Sequence, residues 1–216
     1  MPSNATQHQA KRADARRNVQ AILDAAALCL SRDPDASVAE IARTAGVGRV
    51  TLYGHFASRA ELVDAVVARA IEEGDEALDA LDLSGDPRDA LVRLVAQSWL
   101  TIVQIGSLMT AALQDLSPGR MLELHERPVT RVERLVERGR RDGVFRTDLP
   151  ASWLVGTLHR VMNGAAAEIE AGRLAPDDAA RTIAATALAA FTPPGQPVPA
   201  VPPVAPVRPV TPEEAS

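Results

Sequence analysis

The chain has 216 residues, and its 23 Lys or Arg against 28 Asp or Glu give a net charge of −5 at pH 7. A hydrophobic content of 46% is typical of a globular protein, and a single cysteine excludes a disulfide framework and a cysteine-rich zinc site. No stretch reaches the ~18 consecutive apolar residues of a membrane-spanning helix, and the polar residues 1–17 lack the apolar core of a signal peptide. We therefore expect a cytoplasmic protein without a membrane partner.

Positive charge is concentrated near the beginning of the chain. Residues 1–60 contain eight basic and five acidic side chains, whereas residues 61–216 contain fifteen and twenty-three. Because charges farther apart than roughly 8–10 Å are screened at cellular salt, a locally basic end is able to bind a polyanion even in an acidic protein. The first part of the chain is therefore the candidate for a nucleic-acid contact.

Glycine and proline divide the first part of the chain into helical segments, and no segment has the alternation of a β-strand. A polar, partly basic arm at residues 1–13 precedes a helix that begins at Asp14 and ends near Ser31. Residues 37–40 read Ser-Val-Ala-Glu, a capping box that predicts the start of a second helix. This helix, a third one and a fourth one that begins with a second capping box are predicted at about 38–45, 49–56 and 58–74.

The second part of the chain predicts further helices and then a different kind of segment. Pro128 lies inside one predicted helix, which it is expected to kink or split. The last 24 residues contain nine of the sixteen prolines and few large apolar side chains, which predicts a disordered, partly polyproline-II tail. The predicted helical segments cover about 87–116, 118–142, 150–171 and 176–191.

Residues 37–56, with the sequence SVAEIARTAGVGRVTLYGHF, have the spacing of a helix-turn-helix, whose second helix enters the DNA major groove. At 100° per residue, Leu52 and Phe56 fall on one side of that second helix. Val50, Thr51 and Gly54 fall on the opposite side, so the outward face is small or polar. Such a face lets the helix backbone come close to the bases.

The same residues resemble the TetR family of bacterial transcriptional regulators. The resemblance rests on Ala45-Gly46-Val47 after the turn and on Thr51-Leu52-Tyr53, then His55-Phe56. It is detailed over about residues 14–74, and beyond them it extends only to the layout. Two positions depart from the family pattern: Gly48 stands where a phosphate-contacting Ser is common, and Arg59 replaces the usual Lys, with a different donor geometry.

The resemblance implies an all-α fold of about nine helices, in which a helix-turn-helix DNA-binding domain is followed by a ligand-binding and dimerisation domain. The predicted division is a flexible basic arm at 1–13, a DNA-binding domain at 14–74 with its helix-turn-helix at 37–56, a ligand-binding and dimerisation domain at 75–192, and the Pro-rich tail at 193–216.

The resemblance also implies roles for residues that contact double-stranded DNA. Arg49, Val50 and Thr51 occupy base-reading positions, where an Arg pairs with guanine and a methyl group touches thymine. Phosphate contacts fix the register of the protein on the duplex and carry no sequence information. The implied phosphate-contacting residues are Tyr53, His55 and Arg59, with Lys11, Arg12, Arg16 and Arg17 of the basic arm reaching a flanking phosphate or the minor groove. Each of these side chains is alternatively an ordinary solvated residue, and Arg49 alternatively reaches only phosphate.

Two helix-turn-helix units must lie about 34–36 Å apart to read one face of DNA, so a homodimer is expected. The apolar stripes of the last two helices are candidates for an intermolecular four-helix bundle. The alternative is that the same stripes only close the core of the chain itself. The predicted interface residues are Leu154, Val155, Leu158, Val161, Met162, Ala165, Ile169, Ile183, Ala187 and Leu188.

A small-molecule pocket in the second domain is a further implication of the resemblance, and its mostly apolar candidates do not identify the ligand. A Trp in an apolar helix is more often a core residue than a ligand contact, so that alternative stays open. The candidate residues are Trp99, Ile102, Val103, Gln104, Gly106, Met109, His125, Trp153, His159, Met162 and Asn163.

The function expected from these observations is that of a dimeric repressor, released from a palindromic operator by a small, largely apolar ligand. An activator of the same fold and a protein-interaction module with a degenerate helix-turn-helix are the alternatives. The four histidines form no HExxH motif, and neither a paired-carboxylate spacing nor a Gly-rich phosphate loop is present, so we do not expect an enzyme, a cofactor or a metal site. Cys29 is expected to be a small core residue.

Overall fold

The computed structural model describes the backbone of residues 4–201 and the side chains of residues 14–103 and 105–201. Over these residues the chain forms nine α-helices and no β-strand, which confirms the predicted all-α fold. The helices are α1 (Asn4–Arg32), α2 (Val38–Thr44), α3 (Arg49–His55), α4 (Arg59–Asp79), α5 (Pro87–Asp115), α6 (Pro118–Leu124), α7 (Glu126–Arg141), α8 (Ala151–Glu170) and α9 (Pro176–Phe191).

Side-chain caps set the starts of α2 and α4, as the two capping boxes predict. Ser37 Oγ accepts a hydrogen bond from the backbone N–H of Glu40 at 3.2 Å. At α4, Ser58 Oγ accepts from the N–H of Glu61 at 3.1 Å, and Glu61 Oε2 accepts in return from the N–H of Ala57 at 2.7 Å. These bonds satisfy amide groups that have no partner inside the helix.

Left-handed glycines end α2 and α7. After α2, Gly46 adopts φ +68°, and the N–H groups of Gly46 and Val47 donate to the carbonyls of Arg43 and Ala42 at 3.2 and 3.0 Å. After α7, Gly143 adopts φ +72°, and the N–H groups of Gly143 and Val144 donate to the carbonyls of Arg140 and Gly139 at 3.1 and 2.9 Å. A residue with a Cβ is strained in this conformation, so glycine is required at both turns.

The predicted helix at 118–142 is split into α6 and α7 at His125. Pro128 is the third residue of α7, where its missing N–H has no intrahelical partner to lose. The expectation that Pro128 kinks or splits this segment is therefore confirmed as a split that precedes the proline.

The N-terminal unit consists of Met1–Glu72 together with Ile105–Leu124. Its core contains Ile22, Leu52 and Leu62, all fully buried, and Cys29 is buried beside them as expected. The second half of α5 and α6 thus belong to this unit, whereas the predicted domain at 14–74 omitted them. Their apolar residues recur at the ordinary helical period, which does not specify the core that they join.

The expected flexible arm at residues 1–13 is wrong for residues 4–13. These residues are helical and continue into α1 without a break, so the helix begins at Asn4 and not at Asp14. Only residues 1–3 of the predicted arm lie outside the described backbone. Asp14 is therefore an internal helix residue and does not cap α1.

The C-terminal unit consists of Glu73–Gln104 and His125–Ser216. In it α8 packs against α7 and α9, and the rings of Phe145 and Phe191 meet edge to face with centroids 5.5 Å apart. Gly139 permits this packing, because a Cβ at that position would lie 2.1 Å from Phe145 Cδ2.

Part of the predicted Pro-rich tail, directly after α9, lies within the described chain. Residues 193–201 contain no helix or strand and begin with a turn in which the N–H of Gln196 donates to Pro193 at 3.1 Å. Residues 202–216 lie outside the described residues.

We find no single helix in the described chain with the length and hydropathy needed to cross a membrane. Taken together as a bent pair, the α5 segments Pro87–Val103 and Ile105–Asp115 meet that criterion by length and composition.

Candidate nucleic-acid interface

The two sides of α3 differ sharply in burial. Leu52 is fully buried in the core of the N-terminal unit, and Phe56, directly after the helix, is 7% exposed. On the other side Val50 is 88% exposed, and Thr51 and Gly54 are also exposed. The predicted orientation of α3 is confirmed: its apolar side anchors the helix, and its small side faces solvent.

The polar side chains of α3 are available for an external partner. Arg49 is exposed and Tyr53 is 51% exposed, while His55 is half-buried. Within the described part of the chain, none of these three side chains forms a hydrogen bond or an ion pair. A groove-binding helix needs such unengaged donors, because each contact with DNA then replaces a contact with water only.

Arg59 forms hydrogen bonds within the chain that the family resemblance does not imply. Its Nε donates to Asp115 at 3.0 Å, and its terminal nitrogens donate to the backbone carbonyls of Pro34, at 2.5 Å, and Ala36. These bonds engage Arg59 within the chain, and its contact with a phosphate stays a prediction. The fork of five N–H donors lets one guanidinium connect the α1–α2 loop to the end of α5, which a lysine is unable to do.

The structure describes the side chains of two of the four predicted DNA-contacting basic residues in α1. Arg16 is exposed, and Arg17 is exposed but forms an ion pair with Asp14 one turn earlier. This pair reduces the positive charge that Arg17 offers to a phosphate. The side chains of Lys11 and Arg12 lie outside the described residues.

Arg43 is a basic residue at the same surface that the sequence-based reasoning missed. It lies in the last turn of α2, directly before the turn that leads to α3, and its side chain is exposed. In the described structure it has no ion-pair partner. A basic residue in the last turn of the first helix was the available signal, although it equally indicates a favourable interaction with the helix dipole.

The predicted ligand-binding residues are divided between the two units. Trp99 and Met162 are buried in the core of the C-terminal unit, whereas Gly106 and Met109 belong to the N-terminal unit. Ile102 is partly buried against the core of the C-terminal unit. The side chain of Gln104 lies outside the described residues, and Val103, Trp153, His159 and Asn163 are exposed.

Three of the predicted ligand-binding residues have defined ring contacts. The His125 and His159 rings meet edge to face, with centroids 5.7 Å apart, and the Arg160 guanidinium lies 5.7 Å from the centre of the Trp153 ring. Desolvation, with smaller contributions from His125 and Arg160, lowers the pKa of His159. Trp153 is thus a surface residue, and its role in a ligand pocket stays a prediction.

The predicted interface residues are also not available to a second chain. Most of them lie in the core that α8 and α9 form within one chain, and Val161 and Ile169 are partly buried against it. The alternative of an ordinary core is therefore correct for these stripes, because α8 and α9 turn their apolar sides toward each other and toward α7. The buried residues are Leu154, Val155, Leu158, Met162, Ala165, Ile183, Ala187 and Leu188.

Comparison with known proteins gives the same identification for the helix-turn-helix region. The profile of the bacterial regulatory proteins of the tetR family matches residues 22–66, which include α2 and α3. The HTH-type transcriptional repressor LfrR of Mycolicibacterium smegmatis is 36% identical over 86 residues, which cover 40% of this chain and 46% of the repressor. The match thus spans about half the length of that relative. Residues 22–66 match the tetR family, and the stretch aligned with LfrR is limited to 86 residues.

Solved structures support the TetR-family fold along most of the chain. LfrR from Mycobacterium smegmatis, in complex with proflavine, has a TM-score of 0.64 and 21% identity, covering 82% of this chain and 97% of LfrR. SmeT, the repressor of the Stenotrophomonas maltophilia multidrug efflux pump SmeDEF, has a TM-score of 0.61 and 22% identity, covering 85% and 97%.

Gly48, which departs from the tetR-family pattern, has a local structural explanation. It is the N-cap of α3, with extended backbone angles of φ −71° and ψ 149° and no side-chain cap. A Cβ at this position would have its nearest neighbour, Thr51 Oγ1, at 3.8 Å, an ordinary contact distance. A serine therefore fits at Gly48 without displacing the helix.

Proposed function

We propose that this protein is a transcriptional repressor that binds a palindromic operator as a homodimer and leaves it when a small molecule binds. The observation that carries the proposal is the exposed face of α3, where Val50, Thr51 and Gly54 offer little bulk while Leu52 fixes the helix in the core. A helix in the major groove must be rigidly held and slim on its outer side.

The exposed side chains divide into base-reading and positioning contacts. Arg49 is suited to a bidentate pair with guanine, and Val50 and Thr51 are suited to contact a thymine methyl. Tyr53 and His55 are suited to hold phosphates, which sets the register. Arg43 and Arg16 add positive charge that releases counterions from the duplex on binding.

The exposed sides of α8 and α9 are the proposed dimer surface, in place of the buried stripes. They include exposed or half-buried small residues, which would let helix backbones of two chains approach closely, and Trp153 supplies one large side chain of the kind that often anchors interfaces. The small residues on these sides are Gly156, Thr157, Gly164, Ala167, Thr182, Ala185, Thr186 and Ala189.

A small-molecule effector is proposed from the relatives, since LfrR has been crystallised in complex with proflavine and SmeT represses a multidrug efflux pump. An effector releases the operator only to the extent that it binds the non-operator state more tightly, because equal affinity for both states shifts nothing.

The proposal is tested with the full chain and a duplex from upstream of its own gene, by fluorescence anisotropy between about 50 and 200 mM salt. We expect sequence-specific binding that weakens steeply with salt. Arg49→Ala should lower operator affinity by about 5–150-fold, equivalent to about 1–3 kcal/mol, whereas Arg173→Ala, at an exposed residue between α8 and α9, should not. Binding that is equally tight to an unrelated duplex, or independent of salt, would instead favour a protein-interaction module.

A further inference from the structure

Five arginines form a row along α7. Arg127, Arg131, Arg134, Arg138 and Arg141 follow one another at alternating spacings of four and three residues, which places them on one side of the helix over about 21 Å. They line a cleft of about 840 Å³ in the C-terminal unit, to which Asp79, Leu83, Glu126, Thr130 and Leu135 also contribute, with both acidic residues at the Arg127 end of the row. Its volume is in the range of roughly 300–1,000 Å³ that is typical of small-molecule sites.

One end of this row is neutralised by α4. Arg131 pairs with Asp75, which is 2% exposed, at 2.6 Å and also with Asp79. Arg127 pairs with Asp79 at 3.1 Å. The hydrogen bond from Arg131 holds the pKa of Asp79 below its ordinary value, so this carboxylate stays charged. These two arginines therefore have a structural partner, and an added anion would be repelled by Asp79.

The other end of the row has positive charge without such partners. In the described structure Arg134 and Arg141 form no hydrogen bond or ion pair. Nε and Nη2 of Arg138 are buried from solvent and have no hydrogen-bond acceptor. Buried charged donors are almost always paired, so an unpaired guanidinium edge inside a cleft indicates a missing acceptor.

The nearest acidic side chains are already engaged elsewhere. Asp82 accepts a hydrogen bond from the backbone N–H of Ser84 at 2.8 Å. Both carboxylate oxygens of Asp86 accept hydrogen bonds from the guanidinium of Arg88, with the shortest one from Nη2 at 2.6 Å. Arg138 interacts with the carboxylates of Asp82 and Asp86 only through longer-range electrostatic attraction. Neither of these two carboxylates therefore supplies the acceptor that Nε and Nη2 of Arg138 lack.

The helix dipole opposes an anion at this end of α7, but only weakly. The last carbonyls of the helix already accept hydrogen bonds from the N–H groups of Asp142, Gly143 and Val144. Three guanidinium groups outweigh the remaining partial charge, because each carries a full positive charge and offers a fork of donors suited to carboxylate or phosphate oxygens.

We propose that this cleft binds a small organic anion, either a phosphate ester or a polycarboxylate, through Arg134, Arg138 and Arg141. Thr130 supplies a hydroxyl, and Leu83 and Leu135 accept an apolar portion of the ligand. The site is separate from α3, and the proposal does not depend on DNA binding.

Calorimetric titration of pyrophosphate and of citrate into the full chain, at constant ionic strength, tests the proposal. We expect saturable binding of at least one anion with one site per chain; tighter pyrophosphate binding assigns a phosphate ester, and tighter citrate binding a polycarboxylate. Arg138→Met should weaken binding by at least tenfold, whereas Arg181→Met on α9 should leave it unchanged.

Thermal unfolding of the same variants separates loss of the site from loss of the fold. Arg138→Met should melt at the same or a higher temperature, because it removes a buried unpaired charge. Arg134→Gln, at an exposed position, should also weaken binding without a change in melting temperature. The proposal is overturned if neither anion gives a saturable heat, or if both variants bind as tightly as the natural chain. DNA is absent from these titrations, so either result leaves the operator proposal intact.

Discussion

Replacing Gly54 in α3 by alanine distinguishes the stability of the fold from DNA binding, because the added methyl group should raise the stability and lower the operator affinity. Gly54 lies next to last in α3, and a Cβ built on it meets no atom within 4 Å. Alanine is more favourable than glycine by about 0.8–1.0 kcal/mol in a helix interior, so Gly54→Ala should stabilise the fold by up to about that amount.

The same methyl group points to where the groove floor would lie. Overfilling a close-packed contact costs about 1–3 kcal/mol, so operator affinity should fall by about 5–150-fold. Gly106→Ala is the matched control, since Gly106 is also an exposed helical glycine with no atom within 4 Å of a built Cβ. It should stabilise the fold and leave operator affinity unchanged.

The assays are urea denaturation for stability and anisotropy of a labelled operator duplex for affinity. Unchanged operator affinity in Gly54→Ala would refute a close approach of this side of α3 to DNA. An equal loss of affinity in Gly106→Ala would show that the effect is not specific to α3.

Three further predictions concern other contacts. Arg59→Lys should lower the free energy of unfolding by about 1–2 kcal/mol in urea, because a lysine does not keep the bonds to both the loop and Asp115; weaker DNA binding without any loss of stability would support a phosphate role. Gly139→Ala should destabilise the chain by about 1–3 kcal/mol, since its Cβ would overlap Phe145, and an unchanged midpoint would contradict that packing. The pKa of His159 is lowered in the folded chain, so the unfolded chain binds the proton more readily. The contribution of His159 to stability should therefore be present above about pH 6.5 and be lost as the pH falls through its lower folded pKa. His159→Gln should therefore reduce the difference in urea midpoint between pH 7.5 and pH 5.5, and an unchanged difference would contradict the shift.

Local signals in the sequence were sufficient for the helices and for the orientation of α3. Capping residues such as Ser37 and Ser58, and the left-handed Gly46, act within a few residues of their own position. The burial of Leu52 follows from the helical period in the same way. Such features do not depend on which distant segment the helix meets.

The errors concern the partners of side chains and faces. The apolar stripe of α8, which includes Leu158, predicted correctly that one side of the helix is buried, but a stripe does not specify whether its partner is the same chain or a second one. The exposed small residues of α8 carry no comparable hydrophobic signal. The contacts of Arg59 were missed because a long side chain reaches partners that are 23 to 56 residues away in sequence, such as Ala36 and Asp115.

Selection of preferred duplexes from a random pool, with the natural chain and with Arg49→Ala, tests the base-reading role of α3 most directly. We predict that the natural chain selects a palindrome and that Arg49→Ala loses preference at one symmetric position per half-site, with the other positions retained. Identical selected sequences for the two proteins would contradict the account, because Arg49 would then contact only phosphate or no DNA at all.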